Sequence, residues 1–195
     1  RHWAGTDAAL RTIGFAAVNA LTRHVFDRAG FVPPDARDSI GGLAPQAGEH
    51  IGMIGYFPPL VHRVIASGAR LTVLELRADL AGAREGFHIT LDARELATCD
   101  KVLSTSTVLL NDTLDAVLAH CVHARAFAMI GPGASCLPDA LFARGVTLLG
   151  GSWVHERKAF IDALECGDKG GGAASKFVLT PDSYPGFSTL LLHLA

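Results

Sequence analysis

Short apolar runs alternate with helix-forming segments along most of this chain after Gly48. The runs are HIGMIGYF, LTVLEL, DKVLSTST, ARAFAMIGPG and VTLLGGSWV, and a helical pattern or a turn follows each of them. Parallel strands need a crossover segment, so this order predicts a mostly parallel sheet with right-handed crossovers. The runs are continuously apolar, as strands covered on both faces require. We therefore expect an α/β fold with helices on both faces of the sheet.

The first quarter of the chain has a different pattern, a helical segment followed by a linker. In IGFAAVNALTRHVF the apolar residues recur at helical spacing, which predicts a helix over residues 6–29 with Thr12 as its N-cap and Gly30 as its stop. The following stretch is rich in Pro and Gly and predicts a linker. We divide the chain into a helix and linker that end an N-terminal domain (residues 1–47) and an α/β domain (residues 48–195). The start, RHWAGTDAALRTIG, has no initiator Met, and we expect a truncated or missing upstream segment.

The C-terminal tail carries a weaker pattern. Its segment GDKGGGAASKF is rich in glycine and predicts a flexible loop. The remaining residues, KFVLTPDSYPGFSTLLLHLA, predict one short strand and a final helix.

Composition narrows the function classes. The chain is 49% hydrophobic and has a net charge of −2 from 17 basic and 19 acidic residues, without a basic stripe, which argues against nucleic-acid binding. Its apolar runs are shorter than the roughly 18 residues of a membrane span, and its four cysteines form no CxxC pair. We expect a cytoplasmic protein with a small-molecule or metal ligand and no nucleic-acid or membrane partner; homo-oligomerisation is left open.

The loops after the first two predicted strands give opposite indications about nucleotide binding. In an open α/β sheet ligands bind beyond the carboxyl ends of the strands. The first such loop holds Gly52 and Gly55 but also Tyr56, Phe57 and two prolines, so it is not the GxGxxG of a dinucleotide site. Glu75 nevertheless follows Gly55 by 20 residues, where an acid binds ribose hydroxyls in such domains. The alternative is an ordinary polar residue leaving a strand.

The loop after the third predicted strand, STSTVLLNDT (residues 104–113), is unusually rich in hydroxyl groups. Asn111 or Asp112 is expected to cap the helix that follows, with Asp115 completing a capping box. Capping leaves residues 104–107 unexplained, and they predict a polar ligand. The two carboxylates argue against phosphate at this helix start. The candidate ligand-binding residues of this loop are Thr105, Ser106, Thr107, Asn111 and Thr113.

The fourth loop, GPGASCLP, adds a second group of candidates. Its glycines permit close backbone approach, and the candidate ligand-binding residues are Gly131, Pro132, Gly133 and Ser135. Cys136 has no histidine near it in sequence, so a small buried hydrophobe is the more natural interpretation than a nucleophile. His120 and His123 stand one helical turn apart in HCVH, but their spacing matches no established metal motif.

Three of these loops, in order, resemble one known family. IGMIGYFPPLVHRV, VLELR, CDKVLSTSTVLLNDTLDAVL and MIGPGASCLPDALFARGVTLLGGSWV resemble the domain of unknown function 364, a family named for heavy-metal chelation, over about residues 51–163. The resemblance implies a Rossmann-like domain. The upstream IGFAAVNAL resembles the end of the family's N-terminal domain, which is similar to that of enolase. It also implies a site between the two domains.

Matched position by position, the resemblance implies ligand-binding roles for particular residues. It places Tyr56, Phe57 and Pro58 on the first loop, and Asn19 on the interdomain helix. Thr105, Thr107, Asn111 and Thr113 fall on the third loop, and Gly131 and Pro132 on the fourth. Where the family often has glycines in the third loop, this chain has STSTVLLNDT, so its backbone is less free.

Three functions are compatible with the sequence. The first is a protein that binds a small molecule or metal complex at the strand ends, as an enzyme or otherwise, with a suspected role in heavy-metal handling and a metal ion as a candidate cofactor. The second is an enzyme with a nucleotide-type cofactor resembling S-adenosylmethionine, which rests on Glu75 and fold analogy. The third is a non-catalytic partner protein whose polar loops merely cap helices. No nucleophile with a base can be assembled from the sequence, so no reaction is named.

Overall fold

A computed structural model describes residues 7–36, 42–168 and 170–193. Thr6, at which the first predicted helix begins, lies outside these ranges, as do linker residues 37–41 and Lys169 of the glycine-rich stretch. The strands are β1 (His50–Ile54), β2 (Arg70–Leu74), β3 (Gly82–Arg84), β4 (Phe87–Thr90), β5 (Lys101–Thr105), β6 (Ala126–Ile130), β7 (Leu148–Val154) and β8 (Ala174–Leu179). The α-helices are α1 (Ala8–Arg28), α2 (Pro58–Ala66), α3 (Leu114–Leu118), α4 (Asp139–Phe142), α5 (Arg157–Glu165) and α6 (Phe187–Leu192).

The strands form one sheet in the order β3-β4-β2-β1-β5-β6-β7-β8. Neighbouring strands from β4 to β7 in this order are parallel, and β3 and β8 are antiparallel at the two edges. Counted along the chain, the six parallel strands lie in the order 3-2-1-4-5-6, which is that of a doubly wound sheet. The predicted α/β fold with a mostly parallel sheet is confirmed.

The sheet separates two hydrophobic cores, because successive residues of a strand point to opposite faces. Ile51 and Met53 of β1 belong to one core with α2, while Ile54 belongs to the other. The second core takes in side chains from α1, α3, α4 and α6. Helices therefore cover both faces, as the continuously apolar strands predict. In the three described ranges, no helix is both long and apolar enough to cross a membrane.

Helix α1 lies against the sheet and carries Phe15 and Phe26 into the core. Asp7 is its N-cap, since its carboxylate accepts a hydrogen bond from Leu10 N at 2.9 Å. The prediction of Thr12 as the cap is wrong: Thr12 lies inside the helix and its hydroxyl donates to Ala8 O. The division of the chain after residue 47 stays a prediction.

Strand β8 begins inside the glycine-rich stretch that was predicted as a loop, so that prediction is wrong from Ala174 onward. Backbone pairing with β7 along its whole length and burial of Phe177 hold this strand in place. On its other side, Val178 N donates to Pro34 O and Ala36 N to Lys176 O. Part of the predicted linker thus docks on this edge of the sheet. The final helix is confirmed as α6.

The hairpin of β3 and β4 was not predicted. Every residue of β3 is exposed and β4 buries only Ile89 fully. β3 has three residues and β4 four, and segments this short give too little apolar pattern for a strand to be recognised in a sequence. The hairpin matters for the site because β4 lies beside β2 and places its own carboxyl end next to Glu75.

His50 is a buried ionisable residue at the amino-terminal edge of the sheet. Its Nε2 lies 2.8 Å from Thr72 Oγ1, and its Nδ1 lies 3.1 Å from Thr98 O. Burial lowers the pKa of His50 below its ordinary value of 6.5, and the Arg70 guanidinium adds to this effect. The folded protein therefore favours the neutral imidazole.

We expect the folding stability of the protein to fall as the pH drops below about 6.5. The unfolded chain takes up a proton on His50 there, while the folded state resists it until a lower pH, so the stabilisation present above pH 6.5 is lost on acidification. Urea midpoints measured from pH 8 to pH 5 test this. The pH dependence should be smaller in His50→Gln and unchanged in His62→Gln, at an exposed position of α2. Equal slopes in all three proteins would contradict it.

Candidate functional site

A cleft of about 420 Å³ opens at the carboxyl ends of the strands. The strand order reverses between β1 and β5, so the loops that follow these two strands leave the sheet in opposite directions. The cleft lies at this switch point, the usual position of a ligand in a doubly wound sheet. It is lined by seven of the predicted site residues: Tyr56, Phe57, Glu75, Thr105, Thr107, Asn111 and Thr113.

Glu75 joins two of the strand ends. Its Oε2 accepts a hydrogen bond from Tyr56 N at 3.1 Å, across from β2 to the loop after β1. Its Oε1 accepts from Leu76 N at 2.7 Å and from Arg77 N at 3.3 Å. Three backbone donors therefore fix the orientation of the carboxylate in the cleft wall. This placement follows from the parallel register of β1 and β2, which sets Ile54 beside Leu74.

The hydroxyl-rich loop has an internal structure of its own. It forms a 3₁₀ turn over Ser106–Leu109 with Thr105 as its N-cap. The Oγ1 atom of Thr105 accepts a hydrogen bond from Thr107 N at 3.2 Å, and its hydroxyl donates to Thr107 Oγ1 at 2.9 Å. Thr105 and Thr107 line the cleft, whereas Ser104 and Ser106 are buried. The end of β5 and the 3₁₀ turn after it thus send neighbouring hydroxyls alternately to the cleft and to the interior.

Asn111 stabilises the second half of this loop. With its amide nitrogen toward the loop, its two N–H groups are shared among Thr113 Oγ1 at 2.7 Å and the carbonyl oxygens of Thr107 and Val108 at 3.1 and 3.2 Å. The opposite assignment would leave its oxygen facing only acceptors, so this orientation is the one hydrogen bonding requires.

The predicted capping of α3 is wrong. Thr113, not Asn111 or Asp112, occupies the N-cap position, and no side chain accepts a hydrogen bond there. Asp112 has φ 61°, a left-handed conformation that reverses the chain just before the helix. Asp115 forms an ion pair with Arg144 at 3.3 Å instead of completing a capping box.

Most of the other residues that line the cleft were not predicted from the sequence. They are mostly apolar: Ile54, Leu74, Leu76, Leu91, Ala93, Val108, Ala116 and Val117. His120 also lines the cleft, and its place in HCVH was the signal available in the sequence. The remaining wall follows the unpredicted β4 hairpin, which is why Leu91 and Ala93 were missed.

Other predicted site residues lie elsewhere. Asn19, Pro132 and Ser135 line a separate cleft of about 360 Å³ between α1 and the end of β7. Asn19 Nδ2 donates to Pro132 O at 3.3 Å, and Asn19 Oδ1 is buried without a hydrogen-bond partner. Arg23 covers the ring of Trp153, 3.7 Å from its centroid, at the edge of this cleft. The first, second and third loops therefore line one cleft, and Pro132 and Ser135 of the fourth loop line another.

The glycines of the fourth loop, which were predicted to approach a ligand, are approached by the Ser106 side chain. Gly133 N donates to Ser106 Oγ at 3.1 Å. A Cβ atom would lie 2.5 Å from Ser106 Oγ on Gly131 and 2.9 Å from it on Gly133. Phe15 of α1 also lies against Gly133. These glycines let the third and fourth loops pack together beneath α1.

The donor groups of the described residues do not fit a resident heavy-metal ion. No cluster of three or more His, Cys, Asp or Glu side chains that could hold a metal occurs in the described ranges. Soft metals prefer thiolates, but burial raises the pKa of Cys99 to about 12 and those of Cys121 and Cys136 to about 11. These three thiols stay protonated at neutral pH, which also argues against Cys136 as a nucleophile.

The fold and the cleft together define a class: an α/β domain with a doubly wound sheet and a ligand-type cleft at its switch point. The model of the family described as "DUF364: Putative heavy-metal chelation" matches residues 41–179. The chain belongs to this family, as its loops predict.

The chain is similar to a curated protein and to solved structures of the same family. An uncharacterised protein of Methanocaldococcus jannaschii is 28% identical over 142 residues, which are 72% of this chain and 53% of that protein. The chain thus spans about half the length of this curated relative. A family protein of unknown function from Pyrococcus horikoshii superposes with a TM-score of 0.73 at 23% identity, over 91% of this chain and 71% of that chain. One from Desulfitobacterium hafniense gives 0.72 at 22%, over 92% and 71%.

Replacing Gly131 by alanine should destabilise the protein by about 2 kcal/mol or more, because the new Cβ meets Ser106 Oγ and φ is 128°. Gly145→Ala is the matched control, since φ is 93° there but nothing lies within 4 Å. It should cost only about 1 kcal/mol. Urea unfolding measures both.

A double-mutant cycle separates the clash from the backbone strain. In a Ser106→Ala background the extra cost of Gly131→Ala over Gly145→Ala should shrink, because the offending oxygen is gone. An unchanged difference would show that Ser106 does not set the requirement for glycine.

The reactivity of the four cysteine thiols tests whether the buried ones can bind a metal. Cys166 is exposed while Cys99, Cys121 and Cys136 are buried, so one thiol should react rapidly with Ellman's reagent in the native protein and four after unfolding. Native Cys166→Ser protein mixed with Cd²⁺ should show no thiolate-to-metal charge-transfer absorption. Such absorption in native Cys166→Ser protein would mean that the buried thiols do bind metal.

Proposed function

We propose that this chain binds a small organic molecule in the switch-point cleft. The observation that carries the proposal is the convergence of three strand-end loops on one cavity, with hydroxyl, amide and carboxylate groups on its rim and apolar side chains on its floor. Its volume of about 420 Å³ lies in the range of small-molecule sites, and ligand sites combine an apolar lining with a few polar groups in this way.

The rim groups have distinct roles in the proposed complex. Glu75 accepts a hydrogen bond from a hydroxyl or amine of the ligand. Thr105, Thr107 and the amide oxygen of Asn111 supply further polar contacts. Because the internal hydrogen bonds of the third loop already order it, binding costs little further conformational entropy there.

The family description names heavy-metal chelation, and the donor set limits how a metal would take part. Glu75, His120 and the phenol of Tyr56 are the ionisable groups of the cleft wall, and the other polar groups are hydroxyls and an amide. Such a set favours an organic ligand, or an organic complex of a metal, over a bare heavy-metal ion.

A cleft-filling variant tests the proposal. Ala116 lies on the exposed side of α3 and lines the cleft, so Ala116→Trp should fill it without disturbing the core. Ala119, at the exposed end of the same helix, does not line the cleft, and Ala119→Trp is the matched control. The probes are ribonucleosides, a hexose, an inositol, spermidine and a ferric hydroxamate complex, screened by ligand-observed NMR.

We expect at least one of these compounds to bind the wild type and Ala119→Trp equally. Its affinity for Ala116→Trp should fall at least about tenfold, because a bulky ring occupies the space the ligand needs. Binding that Ala116→Trp leaves intact, or no binding by any compound of the panel, would overturn the proposal and favour a non-catalytic partner protein.

A further inference from the structure

We infer that the cleft selects a ribonucleoside over the corresponding nucleotide, whose phosphate would lie on the first loop. This inference rests on the proposed function, since it names the class of ligand for the same cavity. Three features carry it: the remaining acceptor of Glu75, the hydrogen-bonding state of the first-loop amides, and two uncovered leucines at the cleft.

Glu75 offers one well-placed acceptor to a ligand. A carboxylate has about four acceptor positions, and the amides of Tyr56, Leu76 and Arg77 occupy three of them, two on Oε1 and one on Oε2. The fourth position is on Oε2, beside the switch point. A carboxylate at the end of the second parallel strand is the group that accepts a ribose hydroxyl in nucleotide-binding sheets of this strand order. The three backbone hydrogen bonds hold it ready for that contact.

The first loop lacks the amides that a phosphate requires. Phosphate sites use free backbone N–H groups at the start of a helix. Here Gly55 N donates to Leu74 O, and Tyr56 N donates to Glu75 itself. Pro58 and Pro59, the first residues of α2, have no N–H. A phosphate on this loop would therefore meet few donors and would also be repelled by the Glu75 carboxylate.

The cleft presents apolar surface for a base. Leu76 and Leu91 line it and remain 75% and 52% exposed, so their apolar surface is open to a ligand in the cleft. They follow β2 and β4, the two strands next to each other on the Glu75 side of the switch point. A ring held through its ribose at Glu75 would lie within reach of both leucines. At about 420 Å³ the cavity is near the small end of the range for ligand sites, which suits a nucleoside better than a dinucleotide.

Calorimetric titration of the full chain with adenosine, guanosine, cytidine and uridine tests the inference. We expect at least one of them to bind. Its 2′-deoxy form should bind about tenfold more weakly or worse, because a hydrogen bond to a charged acceptor is lost. Its 5′-monophosphate should also bind more weakly than the nucleoside.

Two variants locate the contact. Glu75→Gln should weaken the ribonucleoside about tenfold and remove the difference between the ribo and deoxy forms. Glu85→Gln, at an exposed position between β3 and β4, should change neither. If Glu75→Gln does not fold, the inference is still tested on the wild type, by comparing the affinity of the ribonucleoside with those of its 2′-deoxy form and its 5′-monophosphate.

The outcomes separate this inference from the proposed function. Equal binding of the ribo and deoxy forms, or tighter binding of the monophosphate, overturns the inference. Binding of only a non-nucleoside of the panel, lost in Ala116→Trp, overturns it while the proposed function stands. The absence of binding by every compound overturns both.

Discussion

The pairing of β1 with β2 on one side and β5 on the other is the constraint on which the site depends. Because all three strands are parallel, their carboxyl ends meet at one edge of the sheet. Because the chain winds outward from β1 in both directions, the loops after β1 and β5 diverge and leave a cavity between them. Both cores lie against these central strands, so burial of their apolar side chains stabilises the same geometry that opens the cleft.

Two contacts then fix the loops around the cavity. Glu75 binds the Tyr56 amide and ties the ends of β2 and β1 together. Ser106 packs into the space left by Gly131 and Gly133 and ties the third loop to the fourth. Both contacts place a polar group of one loop on the backbone of another. The polar atoms of these loops thus divide between holding the loops in place and facing the cleft.

The donor groups of the described residues bear on the heavy-metal chelation that the family description names. Thiols that burial keeps protonated, and the lack of a metal-binding cluster in the described residues, do not suit a bare soft cation. Hydroxyls, an amide and one carboxylate above an apolar floor suit an organic ligand. The curated relative and the solved structures are of unknown function, so the donor set of this chain is the more direct guide.

The sequence by itself determined the α/β class and the edge of the sheet at which polar residues gather, because apolar periodicity and glycine stops are local signals. It also singled out Glu75, Thr105, Thr107 and Asn111, which lie at or beyond the carboxyl ends of β2 and β5, the two strands that flank β1. Only the tertiary structure decided that Asn19 and Ser135 line a different cleft, and that the glycines of the fourth loop serve Ser106. The β3–β4 hairpin and the start of β8 were also visible only in the tertiary structure. Pairing with neighbouring strands creates them, and a local apolar pattern does not. Such contacts join residues far apart in the chain, and no local pattern records them.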